Sequence, residues 1–180
     1  QHLQQKDLGF ETEQIIAVPV FLTSAIWSYD ELKQRALSNA SILQVSGAQS
    51  LFGSSNFWKY DYTPDDTGNE DAPSFSKLFV LNDILETMDI EIIAGRDFSE
   101  DFSTDGEQAL LINREMVDYL EWGEPEDAIG RTFRDPNGNR YSVVGVTENF
   151  NHTFLRRELE PLILDLPANM TQRIANIEYM

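Results

Sequence analysis

Short apolar runs rich in β-branched residues alternate with polar and glycine-containing stretches along the whole chain. Runs of this length and spacing are typical of strands. Strands are predicted over residues 14–20, 42–47, 57–62, 75–81, 90–94, 109–112, 131–134, 141–147, 162–166 and 174–179. Gly145 lies inside one of the most β-branched of these runs. Because a glycine at such a position lets another backbone come close, we expect a tight backbone contact there.

The clearest helix signal lies between the first two predicted strands. Ser28 and Glu31 have the spacing of a capping box. In such a box the serine hydroxyl accepts from the backbone N–H of the glutamate, and the glutamate carboxylate accepts from the backbone N–H of the serine. The helix is expected to end at Ser38 and Asn39. A strand, a helix and a second strand in succession predict a βαβ unit, with the helix on one face of a sheet.

Asparagine stands before two later helices. Asn82 is expected to cap a helix over residues 83–88, because its side-chain oxygen can accept from a free backbone N–H. Asn113 is expected to cap a second helix in the same way. The inward-facing residues of that second helix are predicted to be Met116, Tyr119 and Leu120.

A hairpin is predicted between the strands 131–134 and 140–146, because Asn137-Gly138 is a strong signal for a tight turn. Asp135, Asn137 and Asn139 imitate the spacing of calcium ligands. The glycine stands at the wrong place and the distal glutamate of a calcium loop is missing, so a turn is the better interpretation.

Two acidic stretches, residues 63–73 and 99–107, are predicted to be solvated loops. The first carries Pro64 and Gly68 among its carboxylates and is predicted to be a mobile insertion. The ordered ligand spacing of a calcium loop is missing from it, which favours solvation over metal binding.

Composition and charge narrow the class of protein. The sequence is 41% hydrophobic and 11% aromatic, which is typical of a globular chain with a sizeable core. Thirteen basic residues stand against 31 acidic ones, which gives a formal net charge of -18. A field of this sign repels phosphate backbones and anionic lipid, and this disfavours nucleic-acid binding and docking on a membrane surface. Cysteine is absent, so disulfides and thiol chemistry are excluded.

Two charge-poor runs were considered as membrane spans. Residues 15–29 are too few to cross a bilayer and contain Pro19, whereas residues 36–58 are rich in serine, asparagine and glutamine. The N-terminal stretch from Gln1 is polar and lacks the apolar centre of a signal peptide.

No arrangement in the sequence indicates catalysis. The two histidines, His2 and His152, lie far apart and in no metal-binding motif. His152 is interpreted as a hydrogen-bonding loop residue, because no nucleophile or triad pattern accompanies it. Phosphate-binding glycine motifs are also missing. We therefore expect no catalytic, cofactor-binding or metal-binding residue.

Five aromatic residues leave an alternative open. Lining of a ligand groove and packing in the core are both compatible with their spacing, and core packing is favoured. These residues are Trp27, Trp58, Tyr60, Tyr62 and Trp122.

Several segments in order resemble the extracytoplasmic domain of MacB/FtsX-like ABC transporter permeases. The resemblance is carried by LGF at 8–10, IEIIAGRDFSEDF at 90–102, ALLINREMVDYL at 109–120, DAIGRTF at 127–133 and VVGVTENFNHTFLRRELEPLIL at 143–164. Arg114 departs from the pattern, because the family usually has an acidic or small residue there. The segments cover nearly the whole chain.

The resemblance implies an α+β fold with two lobes. A porter-like βαβ lobe would comprise residues 1–56 plus 160–180 and would be incomplete at its C-terminal end. A mixed, β-rich, sabre-like lobe would be inserted at residues 57–159. The chain would then be an excised or truncated piece of a permease, without the membrane helices that flank the domain.

The resemblance also implies a function. The domain would lie between the first and second transmembrane helices, on the periplasmic side of a bacterial inner membrane, and would carry no catalytic activity. It would pass ATP-driven conformational change to the periplasm, for export or release of a peptide, lipoprotein or other envelope substrate. Implied partners are an ABC ATPase subunit or domain, a second permease copy or homologue, and a periplasmic adaptor. The alternatives are a free-standing periplasmic module that binds a cationic or carbohydrate ligand and, with less support, a small secreted hydrolase.

Overall fold

Short strands and short helices alternate in the computed structural model, which describes residues 14–20, 27–50, 58–65, 73–150 and 159–169. The helices are α1 (Tyr29–Leu37), α2 (Ile84–Thr87), α3 (Asp105–Gln108) and α4 (Arg114–Tyr119). The strands are β1 (Trp58–Asp61), β2 (Thr63–Pro64), β3 (Ser74–Phe79), β4 (Ile92–Gly95), β5 (Ala109–Asn113), β6 (Thr132–Arg134), β7 (Arg140–Thr147) and β8 (Leu162–Asp165). A 3₁₀ turn spans Pro125–Ala128.

The strands form one mixed sheet in the order β1-β3-β8-β5-β7-β6-β2, and β4 pairs with β7 beside this path. β3 runs parallel to β8 and β5 runs parallel to β7, whereas the remaining pairs are antiparallel. Because β5 pairs along most of β7, β6 and β4 share the other edge of that strand. The mixed α and β fold is confirmed. The division into two lobes stays a prediction, and β8 lies between β3 and β5 in the sheet.

A hydrophobic core covers each face of the sheet, because side chains alternate between faces along a strand. The first core includes Leu78, Val80, Leu85, Leu111, Phe150 and Leu164. The second core includes Phe75, Leu110, Ile112, Met116, Phe133 and Val146. Strands buried on both faces explain why the sequence of β5 and β8 is almost continuously apolar.

The predicted close contact at Gly145 is confirmed, and its partner is Gly95 of β4. The two glycines are paired across the β4–β7 ladder. A Cβ atom on Gly145 would lie 2.2 Å from the carbonyl oxygen of Arg96, and one on Gly95 would lie 2.3 Å from the carbonyl oxygen of Val144. Gly95 also has φ of 74°, in the left-handed region that glycine enters without strain.

Asn113 caps α4 as predicted and also joins three elements. Its Oδ1 accepts from the backbone N–H of Met116 at 3.1 Å and from that of Leu162 at 2.9 Å. Its Nδ2 donates to the carbonyl oxygen of Glu160 at 3.0 Å. The side chain therefore fixes the end of β5, the start of α4 and the start of β8 together.

The predicted strands at residues 14–20 and 42–47 are wrong. Residues 42–47 make no strand ladder in the described part of the chain, and only Ala48 forms a single bridge, with Val80. Ser46 is held by its hydroxyl, which donates to the carbonyl oxygen of Asn82 at 2.8 Å. Since Leu43 is 83% exposed, the apolar residues of this segment do not follow the burial pattern of a strand. Residues 15–18 are irregular as well, and the βαβ unit is not formed by the described residues.

Two of the predicted caps are also wrong. Helix α1 begins after Ser28 and ends at Ser38 as expected, but the Ser28 side chain makes no capping bond, because its backbone lies outside the extended region that a cap requires. Asp83, with φ of 67°, takes the N-cap position of α2. Asn82 instead donates through Nδ2 to Glu100 Oε1 at 3.3 Å.

The hairpin of β6 and β7 is confirmed, and Asp135 closes its turn. Asp135 Oδ1 accepts from the backbone N–H groups of Asn137 and Asn139, at 2.9 Å each. In α4, Met116 is buried as predicted, whereas Tyr119 is 57% exposed and packs edge-on against Phe75.

The two acidic stretches differ from the prediction of simple loops. Thr63 and Pro64 of the first form β2, and α3 begins within the second. Several predictions lie outside the described residues: the motif at 8–10, His2, His152, residues 66–72 of the acidic insertion and the strand at 174–179.

Gly145→Ala is expected to destabilise the protein by about 3 kcal/mol or more, because the new methyl group meets the Arg96 carbonyl oxygen, which cannot move without disrupting β4. Gly138→Ala is the matched control. Gly138 has φ of 86°, but open space surrounds the position of its Cβ. That substitution should cost about 1 kcal/mol from backbone strain alone. Urea unfolding measures both, and equal costs would contradict the role of the backbone contact.

Candidate functional site

An open cleft of about 800 Å³ lies where β3, β7 and β8 meet α3. Volumes of this size are common in sites that bind small ligands. The residues that give the cleft its chemical character are Lys77, Phe79, Gln108, Asn139, Tyr141 and Asp165. Its wall includes residues widely separated in sequence, which only the order of the sheet brings together.

A buried ion pair lies in the wall of this cleft. Lys77 Nζ lies 2.5 Å from Asp165 Oδ2, and the two side chains are only 7% and 9% exposed. The same ammonium donates to the Tyr62 hydroxyl oxygen at 2.9 Å. Charges removed from water are costly unless they are paired and hydrogen-bonded, and this pair meets both conditions. It also links neighbouring strands, since Lys77 belongs to β3 and Asp165 to β8.

Aromatic rings surround the lysine ammonium. Nζ of Lys77 lies 4.2 Å from the ring centroid of Phe79, 4.6 Å from that of Tyr60 and 5.2 Å from that of Tyr62. The face of an aromatic ring is electrostatically negative, so these rings add to the attraction from Asp165. The ammonium is therefore held on several sides.

The local environment raises the pKa of three acidic groups. Burial raises the pKa of the Asp165 carboxyl, although the charge and hydrogen bond of Lys77 oppose the shift. Burial, followed by the negative charge of Asp165, raises the pKa of the Tyr62 hydroxyl and likewise that of Tyr141. Both tyrosines therefore stay protonated at neutral pH, and of the two only Tyr141 lines the cleft.

Helix α3 forms another wall and is anchored by Arg96. The guanidinium makes a bidentate ion pair with Asp105, with Nη1–Oδ2 and Nη2–Oδ1 distances of 2.6 and 2.8 Å. It also stacks 3.9 Å from the ring centroid of Phe102. Gly106 lies directly against Ala168, and a Cβ atom on it would be 2.9 Å from the Ala168 Cα. These contacts place Gln108 at the edge of the cleft.

The described residues of the cleft bring together polar and aromatic side chains that are suited to binding. The ammonium of Lys77 is occupied by Asp165 and by aromatic rings. Among the described residues, no group of three or more acidic or histidine side chains could hold a metal ion. The described residues that line the cleft include no serine, threonine, cysteine or histidine, and His152 lies outside the described part of the chain.

The five aromatic residues considered for a ligand groove separate into two groups. Tyr62 and Trp122 belong to the second core, where both rings contact Phe133. Trp27 and Trp58 are each 63% exposed and do not line the cleft. Tyr60 is partly buried and packs against the same core. The favoured interpretation, core packing, is therefore right for Tyr60, Tyr62 and Trp122 and wrong for Trp27 and Trp58.

Lys77 and Asp165 were not predicted from the sequence as residues of a functional site. A signal was present, because each is a single charged residue inside an otherwise apolar or uncharged strand, and the two charges are opposite. Burial of both strands makes such charges expensive unless they meet. Their meeting depends on β3 and β8 being neighbours, which local sequence does not reveal.

Similarity to proteins of known structure is found at the level of the fold and not of the sequence. No family model matches the sequence, and no curated protein matches it. Among solved structures, the periplasmic region of MacB from Actinobacillus actinomycetemcomitans matches over 83% of this chain and 60% of that chain, with 14% identity and a TM-score of 0.52. The chain thus has the fold of a MacB-like periplasmic domain, and the resemblance seen in its motifs is confirmed at the level of the fold.

The extracellular domain of the noncanonic ABC-type transporter YknZ from Gram-positive bacteria also matches. That match covers 73% of this chain and 62% of that chain, with 16% identity and a TM-score of 0.45. The chain therefore spans about three fifths of the length of each of these two structures. None of its described helices has the length and apolar character needed to cross a bilayer.

Lys77→Met is expected to cost about 3 to 5 kcal/mol at pH 7, because it leaves the Asp165 carboxylate buried without its partner. The pKa of Asp165, already raised by burial, should rise further once Lys77 is removed. A carboxyl whose pKa is raised by folding favours the folded state at low pH and disfavours it as the pH rises through that pKa. The loss of unfolding free energy in the variant should therefore become smaller as the pH falls from 7 towards about 4.

Lys59→Met is the control for this prediction. Lys59 forms an ion pair with Glu160 at 3.2 Å, but its side chain is 57% exposed. Loss of an exposed pair should cost less than about 1 kcal/mol. Unfolding in urea at several pH values measures both variants, and a deficit of Lys77→Met that does not change with pH would contradict the assignment to Asp165.

Asp105→Asn is expected to cost about 2 kcal/mol at neutral pH, because it breaks a buried, charge-assisted pair with Arg96. Burial tends to raise the pKa of the Asp105 carboxyl, but hydrogen bonds from Arg96 and from the Ser99 N–H lower it overall. A lowered pKa stabilises the fold above the unfolded value and stops doing so as the pH falls through the folded value. The difference from the unmodified protein should thus vanish in acid. Glu107→Gln on the same helix, at an exposed position, should have no such effect in the same unfolding experiment.

Proposed function

We propose that this chain is a non-catalytic, extracytoplasmic domain of an ABC transporter permease of the MacB/FtsX-like kind. The observation that carries the proposal is the fold similarity to the periplasmic region of MacB over 83% of the chain. The motifs at 90–102, 109–120 and 127–133 lie within the described part of that fold, in the order that the family has. In the parent protein the domain would lie between the first and second membrane helices.

The family-like motifs support a structural rather than catalytic role. Gly95 and Gly145 allow two backbones to touch, Arg96 anchors α3, and Asn113 joins β5 to β8. Each of these residues makes its contacts with other residues of the same domain. Residues used in this way keep the domain rigid, which is what a part that passes on movement requires.

The position of β8 supports a role in passing conformational change to the periplasm. β8 lies between β3 and β5 and is hydrogen-bonded to both. A displacement of β8 along its axis would pull on its hydrogen bonds to both β3 and β5. The sheet would therefore move as one body. The Lys77–Asp165 pair and the Asn113 bonds add side-chain links at the two ends of β8. ATP hydrolysis by a partner subunit or domain would drive that displacement.

The cleft favours a second candidate, a free-standing periplasmic module that binds a ligand. The two candidates differ in the parent gene. A permease gene encodes membrane helices on both sides of this segment, beside or fused to an ATPase, whereas a free-standing module lacks both. Reading the complete open reading frame therefore separates them.

The location can be tested with a single introduced cysteine. The sequence has no cysteine, so Gln34→Cys on the exposed side of α1 gives the domain one reactive thiol. In intact cells that express the parent protein, a maleimide reagent unable to cross the inner membrane should label this thiol. Val117→Cys, which is fully buried, is the matched control and should stay unlabelled. Labelling of Gln34→Cys only after the cells are lysed would contradict the proposal.

The transmission of movement can be tested with the same thiol. A spin label at Gln34→Cys in each copy of the reconstituted parent transporter reports the distance between the two domains. We expect the distance distribution to differ between the nucleotide-free state and a state trapped with ATP. An unchanged distribution, with ATP hydrolysis intact, would contradict the mechanical role and leave the location untouched.

A further inference from the structure

We propose that the cleft beside the Lys77–Asp165 pair binds a neutral, hydroxyl-rich ligand, a short carbohydrate. The proposal concerns a binding activity beyond the transmission of movement, and it rests on the lining of the cleft rather than on the MacB-like fold. Three features of the lining carry it: balanced charge, side-chain amides and aromatic rings.

The charges of the cleft largely neutralise each other. Lys77 is paired with Asp165, and Arg140 at the rim lies 3.3 Å from Asp65. Glu107 is the remaining acidic residue of the lining and is exposed to solvent, where water and salt screen its charge. The net charge of -18 further disfavours anionic ligands. Among the described lining residues, a neutral ligand therefore meets no unbalanced charge other than that of the solvent-screened Glu107.

Amide side chains supply the hydrogen bonds that hydroxyl groups need. Gln108, Asn139 and Asn169 all line the cleft. An amide offers both a donor and an acceptor, and a hydroxyl group also acts as both, so the two groups match without a fixed polarity. The Asn139 amide is oriented by its Nδ2, which donates to Asp135 Oδ2 at 2.9 Å. Its carbonyl oxygen is thus held in a defined direction.

Aromatic side chains supply the apolar surface that a sugar ring requires. Phe79 and Tyr141 line the cleft and are each partly exposed. A ring of this kind presents a flat apolar face to C–H groups, while the Tyr141 hydroxyl, which is hydrogen-bonded to Asp135, can still accept a hydrogen bond. The cleft volume of about 800 Å³ is within the range of small-ligand sites. Flat apolar faces beside paired donors and acceptors favour a sugar over a purely apolar ligand.

The test is a titration of the ¹⁵N-labelled 180-residue chain, followed by two-dimensional NMR. The probes are cellobiose, maltose and N,N′-diacetylchitobiose, and the cation spermidine serves as the competing class. We expect at least one of the disaccharides to shift the resonances of Gln108 and Asn139, with a dissociation constant of about 1 mM or below. Absence of shifts with all three disaccharides at ~10 mM would overturn the proposal.

Variants separate specific binding from surface effects. Gln108→Ala should weaken disaccharide binding about fivefold, because it removes a hydrogen-bonding group from an exposed position. Gln34→Ala, an exposed glutamine on α1 and away from the cleft, should bind as the unmodified chain does. Equal affinities for Gln108→Ala and Gln34→Ala would overturn the assignment to the cleft.

A charge variant distinguishes the ligand class. Glu107→Gln keeps the shape of the side chain and removes its charge, so disaccharide binding should persist. If spermidine binds more tightly than every disaccharide and Glu107→Gln abolishes that binding, the site binds cations and the carbohydrate proposal is wrong. These results concern the cleft alone, because the labelling experiment tests membrane location independently of any sugar.

Discussion

The contact between the backbones of β4 and β7 determines where the candidate site can form. Gly95 and Gly145 meet with no room for a Cβ atom on either, so the chain leaving β4 is held directly against β7. Arg96 comes next in the chain, and its carbonyl oxygen is part of that contact. Because the backbone of Arg96 is fixed, its guanidinium reaches Asp105 from a defined position. The ion pair with Asp105 then determines where α3 lies. A side chain at either glycine would separate the strands and move this wall of the cleft with them.

The Lys77–Asp165 pair adds a constraint of a different kind. Two apolar residues of similar volume would fill the same space without the cost of removing charges from water. The pair instead demands one register of β3 against β8, because a shift by one residue would place the ammonium on the opposite face of the sheet. Its benefit is therefore specificity of pairing more than stability. The rings of Tyr60, Tyr62 and Phe79, with centroids 4.2 to 5.2 Å from the Lys77 ammonium, reduce the cost by attracting the cation.

Local patterns in the sequence predicted the features that depend on local geometry. The β6–β7 hairpin, the cap at Asn113 and the close approach at Gly145 each follow from residue types that few backbone conformations tolerate or favour. The prediction was wrong for residues 42–47, where an apolar run forms no ladder, because strand formation depends on a partner that local sequence does not specify. The same limit hid the candidate site: Lys77 and Asp165 are 88 residues apart and meet only through the order of the sheet.

Under the two proposals, the placement of the cleft would connect ligand binding with movement of the sheet. Asp165 ends β8, which lies between β3 and β5 in the sheet, whereas Gln108 ends α3 and Asn139 lies in the β6–β7 turn. A ligand that bonds to all three would hold together elements that are separate in sequence. If a transport cycle displaces β8 relative to α3, the affinity of the cleft must differ between the two states. Linkage is reciprocal, so an occupied cleft would then favour one state of the cycle by the same free energy. The proposed ligand binding and the proposed transmission of movement would thus be coupled, because both depend on how β8 is held between β3 and β5.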